Sequence, residues 1–212
     1  LLSLTGMKAQ QVSEIYEELP NPVATDASKW ARVTNPIIAW GSTDVRYNKE
    51  LPASVTPVGI MNLTGWMGEK LSAQFVISTN RDLKKVSVEV SDIVAKNYKI
   101  SKWNTERGFV RYVMTDELNK NKKGACSKRP DKTEWDSSLV ADVLDIVKIR
   151  DIKAYTTQPI WLNIWVPTDA RAGKYKGTLT VSGKNFKAMD LQFEVQVLNR
   201  TIPAPQEWAL HL

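Results

Sequence analysis

The sequence predicts an all-β protein, an antiparallel β-sandwich of two packed sheets with long loops and at most one or two short helices. Three observations carry that expectation. Apolar and polar residues alternate at a period of two along five segments of the chain. Clusters of Gly, Pro, Asn and Asp separate those segments. No alternation of strand-like and helix-like runs competes with sheet-on-sheet packing.

Residues 1–29 mix a weak helical spacing of Val12, Ile15, Tyr16 and Leu19 with the turn-rich Pro20-Asn21-Pro22, and read as a lead-in rather than core. From Leu71 the period becomes two. Leu71, Ala73, Phe75 and Ile77 take one face while Ser72 and Gln74 take the other, and Val86, Val88 and Val90 alternate with Lys85, Ser87, Glu89 and Ser91. Asn80-Arg81-Asp82 reads as a turn that places these two half-buried strands adjacent in space. Ser138 to Val147 departs from the pattern. Leu139, Val140, Val143, Leu144 and Val147 fall at helical spacing behind a capping Asp136 or Ser137, so the segment reads as a single helix or as an extended crossing loop. Strands return as Ile160, Leu162, Ile164 and Val166, then Tyr175, Leu179 and Val181, then Met189, Leu191, Phe193, Val195 and Val197, with Gly173 and Gly183 at the joins. Pro167 ends the first of these because proline has no ladder donor. Asp169 is placed to bond the turn backbone, and Gly173 permits a positive φ ahead of Tyr175.

At 212 residues, 42% hydrophobic and 25% charged, the chain has enough material for a sizeable core. The net charge of +6 is spread out, and its densest cluster, Lys120, Lys122 and Lys123, lies in a loop-like Asn/Lys/Gly stretch that reads as solvated. Nucleic-acid binding is not expected. No apolar run approaches the ~20 residues of a membrane span. Cys126 is the single cysteine, which excludes an internal disulfide framework and any CxxC metal site.

His211 is the single histidine, so the chain holds no internal Ser-His-Asp or Cys-His arrangement and no His-based zinc site. Gly65 and Gly68 are followed by Glu69 rather than by a phosphate-binding Lys-Ser/Thr pair, and no nucleotide or other cofactor is implied. Two acid pairs are candidates for glycosidase-like carboxylates, Asp116 with Glu117 and Asp142 with Asp145. Both read as surface or turn acids, and no catalytic or metal-ligating residue is assigned. The Asn-x-Thr sequons at Asn62 and Asn199 occur at chance frequency.

The eight tryptophans are more informative. Because the aliphatics of the Ile160–Val166 strand take one face, Trp161 and Trp165 share the other and flank Asn163. Three readings fit: a sugar-stacking surface, a surface covered by a neighbouring domain, or a strand buried on both sides. Trp103 and Trp135 lie in loop-like stretches, and Trp103 is a candidate addition to such a surface.

Three strings, taken in order, are similar to the N-terminal region of bacterial glycoside hydrolase family 123 and its DUF4091 relatives. They are Trp40-Gly41-Ser42-Thr43-Asp44-Val45-Arg46-Tyr47, Gly68-Glu69-Lys70-Leu71-Ser72-Ala73-Gln74, and Val166-Pro167-Thr168-Asp169-Ala170-Arg171-Ala172-Gly173-Lys174-Tyr175-Lys176-Gly177. The closing Asn199–Leu212 stretch resembles the link from that region into a catalytic barrel. The resemblance implies a lead-in over 1–29, a sandwich over 30–203, and a linker with the start of a barrel over 204–212. It implies a secreted, periplasmic or cell-surface bacterial enzyme that cleaves β-linked N-acetylgalactosamine by substrate-assisted retention, its Asp-Glu pair lying in the barrel. No position in this chain matches that pair. The expected role is therefore that of a non-catalytic accessory domain whose partner is its own C-terminal barrel. The alternative is a carbohydrate-binding module that meets glycans through exposed tryptophans.

Overall fold

In the computed structural model, which describes residues 18–56, 58–115, 137–145 and 147–207, twelve strands build two sheets packed face to face. In chain order they are β1 (Ile37–Gly41), β2 (Ile60–Met67), β3 (Lys70–Thr79), β4 (Leu83–Val90), β5 (Ile93–Val94), β6 (Lys99–Ile100), β7 (Thr105–Thr115), β8 (Ser138–Leu144), β9 (Ile149–Ile152), β10 (Thr156–Trp165), β11 (Gly173–Ser182) and β12 (Met189–Thr201). The first sheet runs β1-β3-β10-β7-β8. The second runs β2-β12-β11-β4-β9, with the short β5–β6 ribbon against β11. Helix among the described residues is confined to three single 3-10 turns, Ala27–Trp30, Lys102–Asn104 and Pro205–Glu207.

The inward faces follow the alternation in the sequence. Leu71, Ala73, Phe75 and Ile77 of β3 and Ile160, Leu162 and Ile164 of β10 meet Val86, Val88 and Val90 of β4, Tyr175, Leu179 and Val181 of β11, and Phe193, Val195 and Val197 of β12. Trp40 of β1 closes this core at one side. Its indole Nε1 donates to the Gln192 carbonyl at 3.0 Å, and its ring stands edge-on to Phe75 and Phe193, at 5.8 and 6.2 Å. Gly177 interrupts the apolar run of β11 because it pairs with Phe193, whose ring fills the place of a side chain: a Cβ on Gly177 would sit 2.3 Å from Phe193 Cζ.

Three expectations need correction. Ser138–Leu144 is neither helix nor crossing loop but a strand, β8, paired with β7 from Val110↔Leu144 to Thr115↔Ser138. The ladder hydrogen bonds of β7 outweigh a helical spacing only ten residues long. Second, β3 and β4 are not side by side. The Asn80–Asp82 turn carries the chain from the first sheet to the second, so the two strands belong to opposite layers. Third, the second sheet is not wholly antiparallel, since β2 runs parallel to β12 from Ile60↔Gln192 onward. The β2–β3 hairpin likewise changes sheets, at Gly68, whose φ of 84° turns the chain and whose Cα side is closed by Ile202.

A proline stands in the middle of the first sheet. Pro159 of β10 cannot donate towards β7, where pairing starts one residue later at Ile160↔Phe109. The neighbouring Gln158 replaces the missing donor, its Nε2 reaching the Val110 carbonyl at 2.8 Å. Asp116, Glu117, Lys120, Lys122, Lys123, Cys126, Trp135 and the Trp208–Leu212 stretch with His211 lie outside the described residues.

Candidate functional site

The outer face of the first sheet has two halves. Over the half nearest the β3–β4 turn, residues 42–53 are strapped down by side chains that the alternation assigns to the polar face. Gln74 Nε2 donates to the carbonyls of Ser42 and Val45, at 2.5 and 3.0 Å. The Tyr112 hydroxyl donates to the carbonyls of Tyr47 and Thr157, at 2.9 and 2.8 Å, and Thr157 Oγ1 donates to the Leu51 carbonyl at 2.6 Å. Beneath the strap lies a small second core of Val110, Tyr112, Leu139 and Ala141. Trp30 belongs to the same cover. It is 1% exposed, and its Nε1 donates to the Glu50 carbonyl at 3.1 Å.

The other half of this face is open and carries Trp161, Asn163 and Trp165, which strand alternation does bring to one side. They differ in environment. Asn163 is 2% exposed. Its Oδ1 accepts from Ser72 Oγ at 2.8 Å and from the Trp161 indole at 3.0 Å, while its Nδ2 donates to Glu106 Oε2 at 3.2 Å. Trp161 is half-buried against the small second core. It separates a concavity of ≈ 110 Å³, lined by Glu106, Gly108, Asp145, Lys148 and Asn163 among others, from one of ≈ 190 Å³ that includes Arg46, Gln74 and Asp142. Gly108 pairs with Trp161 across the ladder, and the Leu144–Asp145 segment lies close over it: a Cβ on Gly108 would sit 3.1 Å from the Asp145 carbonyl oxygen.

Trp165, at the last position of the same face of β10, and Trp103 lie at one end of the sandwich. Trp165 closes β10 opposite Lys70, whose Nζ stands 4.9 Å from its ring centroid. Trp103, in the 3-10 turn that leads into β7, is 84% exposed. Trp66, just before the β2–β3 turn, and Tyr98, under the Arg171 guanidinium at 4.3 Å, are also exposed at this end. The segment after β12 runs here too, with the Ile202 amide donating to the Met67 carbonyl at 2.9 Å. The neighbouring 167–175 turn is closed by the Tyr175 hydroxyl, which accepts from the Arg171 amide at 3.2 Å and donates to its carbonyl at 2.8 Å.

The acids weighed from the sequence are apart in role. Asp142 is exposed and faces Arg46 at 3.8 Å. Asp145 is half-buried between Arg111, at 2.8 Å, and Arg150, at 3.6 Å. The hydrogen bond from Arg111, with the Val147 amide and the Arg150 charge adding to it, holds its carboxyl below the ordinary carboxylate range despite burial. That suits a fixed counter-ion, not a proton donor. Glu18 completes the cluster from the lead-in, bound by Lys49, by Arg150 at 2.6 Å and by the Tyr112 amide at 3.2 Å. Burial pushes its carboxyl up, and these partners together outweigh burial and leave it lowered.

Glu106 and Gly108 are not singled out by the sequence because β7 is not recognised there, and Arg46, in the loop after β1, carries no strand period. The signal was present in the alternation of Phe109, Arg111 and Val113 with Gly108, Val110 and Tyr112, but its apolar residues fall on both faces.

The model of the glycoside hydrolase 123 N-terminal domain matches residues 40–183. Among solved structures, a family 123 glycoside hydrolase from Clostridium perfringens, described for its hydrolysis of glycolipid glycans, matches with a TM-score of 0.69 and 21% identity, over 82% of this chain and 29% of that one. The chain thus spans under a third of that protein's length. A PapD-like domain of human CEP192 matches with a TM-score of 0.32 and 10% identity over 90% of this chain and 98% of that one. The periplasmic chaperone SfaE matches with a TM-score of 0.33 and 8% identity over 70% and 59%. No curated protein matches the sequence.

Proposed function

Because the chain belongs to the family of glycoside hydrolase 123 N-terminal domains, we propose that it is the non-catalytic sandwich of a larger exported enzyme, docked on that enzyme's catalytic domain. The observation that carries this reading is the aromatic end of the sandwich. Trp66, Trp103 and Trp165 are each at least 39% exposed there, beside the segment that follows β12. Aromatic side chains rimmed by Lys70, Lys102 and Arg171 have the composition of an interface core with a polar rim. A domain attached after β12 meets this end first. The enzyme's substrate on this reading is a glycan with a β-linked amino sugar, in keeping with the glycolipid glycans acted on by the Clostridium perfringens relative.

Hydrogen exchange on the full-length enzyme and on the 212-residue chain tests the docking. Amides of 66–70, 102–105 and 166–171 should be slower to exchange in the full-length protein. Trp103→Asp should lower the unfolding temperature of the full-length protein and leave that of the isolated chain unchanged. Identical exchange at this end in both proteins would falsify the reading.

A further inference from the structure

We infer that the open half of the first sheet's outer face binds a neutral saccharide, with Trp161 as the stacking surface and Glu106 as the acceptor for a sugar hydroxyl. This goes beyond the docking role and uses a different face, so either can fail alone.

Asn163 is buried in the first sheet. A buried position on a sheet is filled at least cost by an apolar side chain. Here it holds an amide whose Oδ1 takes the Trp161 indole N–H and the Ser72 hydroxyl, and whose Nδ2 holds the Glu106 carboxylate. One buried residue thus fixes the orientation of an indole and of an exposed carboxylate side by side. Pyranose rings present an apolar C–H face and equatorial hydroxyls at its edge, which an aromatic plane and an adjacent carboxylate match together.

The shape agrees. Trp161 is only half-buried and its side chain lines both depressions. The concavities of ≈ 110 and ≈ 190 Å³ meet at Trp161 and Leu144, giving two adjoining depressions instead of one deep cleft. Charge selects the class of ligand. Glu106 and Asp142 line the two depressions against Lys148 and Arg46, while Arg107 is bound to Glu89 and the Val88 carbonyl and Asp145 to Arg111 and Arg150, a balance of acids and bases that favours no net charge.

Indole N–H resonances of the 212-residue chain, followed by ¹H–¹⁵N NMR, test this with three probes: the methyl β-glycosides of N-acetylgalactosamine, galactose and glucose, taken into the millimolar range. The Trp161 signal, assigned from Trp161→Phe, should move with at least one of them, while that of Trp103 stays in place. Glu106→Gln keeps the Asn163 contact but loses the charge, and should weaken the response about tenfold with the fold intact. Three outcomes overturn the proposal: no movement of Trp161 with any probe, movement of Trp103 or Trp165 alone, or movement of Trp161 that follows protein concentration instead of sugar. The last would mark the face as a contact between copies of the chain.

Discussion

At the scale of single residues, buried polar side chains do work that hydrophobic patterning does not reveal. Gln158 reads in the sequence as an ordinary polar neighbour of a strand, yet its amide supplies the donor that Pro159 lacks. Gln158→Leu should therefore destabilise the chain by about 1–3 kcal/mol, measured by urea unfolding, because the Val110 carbonyl stays buried without its partner. Tyr112→Phe removes the hydroxyl that joins the Tyr47 and Thr157 carbonyls, at a comparable cost. Trp161, Asn163 and Trp165 were placed on one face by period alone, and that placement holds. Their division into a half-buried indole, a buried amide and an exposed indole was not legible, since it depends on β7 and Gly108, which come from a distant part of the chain.

At the scale of elements, half-buried strands were readable and those with apolar residues on both faces were not. β4, β11 and β12 expose one side to water and alternate cleanly, whereas β3, read as half-buried, is buried on both faces because residues 42–53 cover its polar side, and it stayed readable only because Ser72, Gln74 and Ser78 keep that side polar. β7 contributes Phe109 to the main core and Val110 and Tyr112 to the small second core, so its apolar residues fall on both faces, while Leu139 and Ala141 of β8 pack only into the second core. The gap in β11 has a separate cause. Gly177→Ala would drive a methyl into Phe193, a ring 1% exposed, and should cost about 1–3 kcal/mol through overpacking, read as a lower urea midpoint at unchanged slope.

At the scale of the whole molecule, the cluster of Glu18, Lys49, Arg111, Asp145 and Arg150 ties the lead-in to both sheets, since Arg111 lies on β7 and Arg150 on β9. Glu18 and Asp145 are both held below their ordinary values of 4.5 and 3.8. A depressed carboxylate contributes stability above its unfolded-state pKa and loses it as pH falls through the folded-state value. Urea midpoints should accordingly drop as the pH is taken below about 4. Asp145→Asn should lower stability at neutral pH and flatten that acid limb; an unchanged limb would show that other carboxylates govern it. The sequence by itself determined the layer architecture, the inward faces of the one-sided strands and the family, because each depends on residues close together in the chain. Only the tertiary structure decided that Asn80–Asp82 is a corner between sheets, that β2 runs parallel to β12, and that Trp161 and Glu106 stand together while Trp103 and Trp165 cap an end. Those outcomes depend on which strand hydrogen-bonds to which across the sandwich, and a period of two carries no information about the partner.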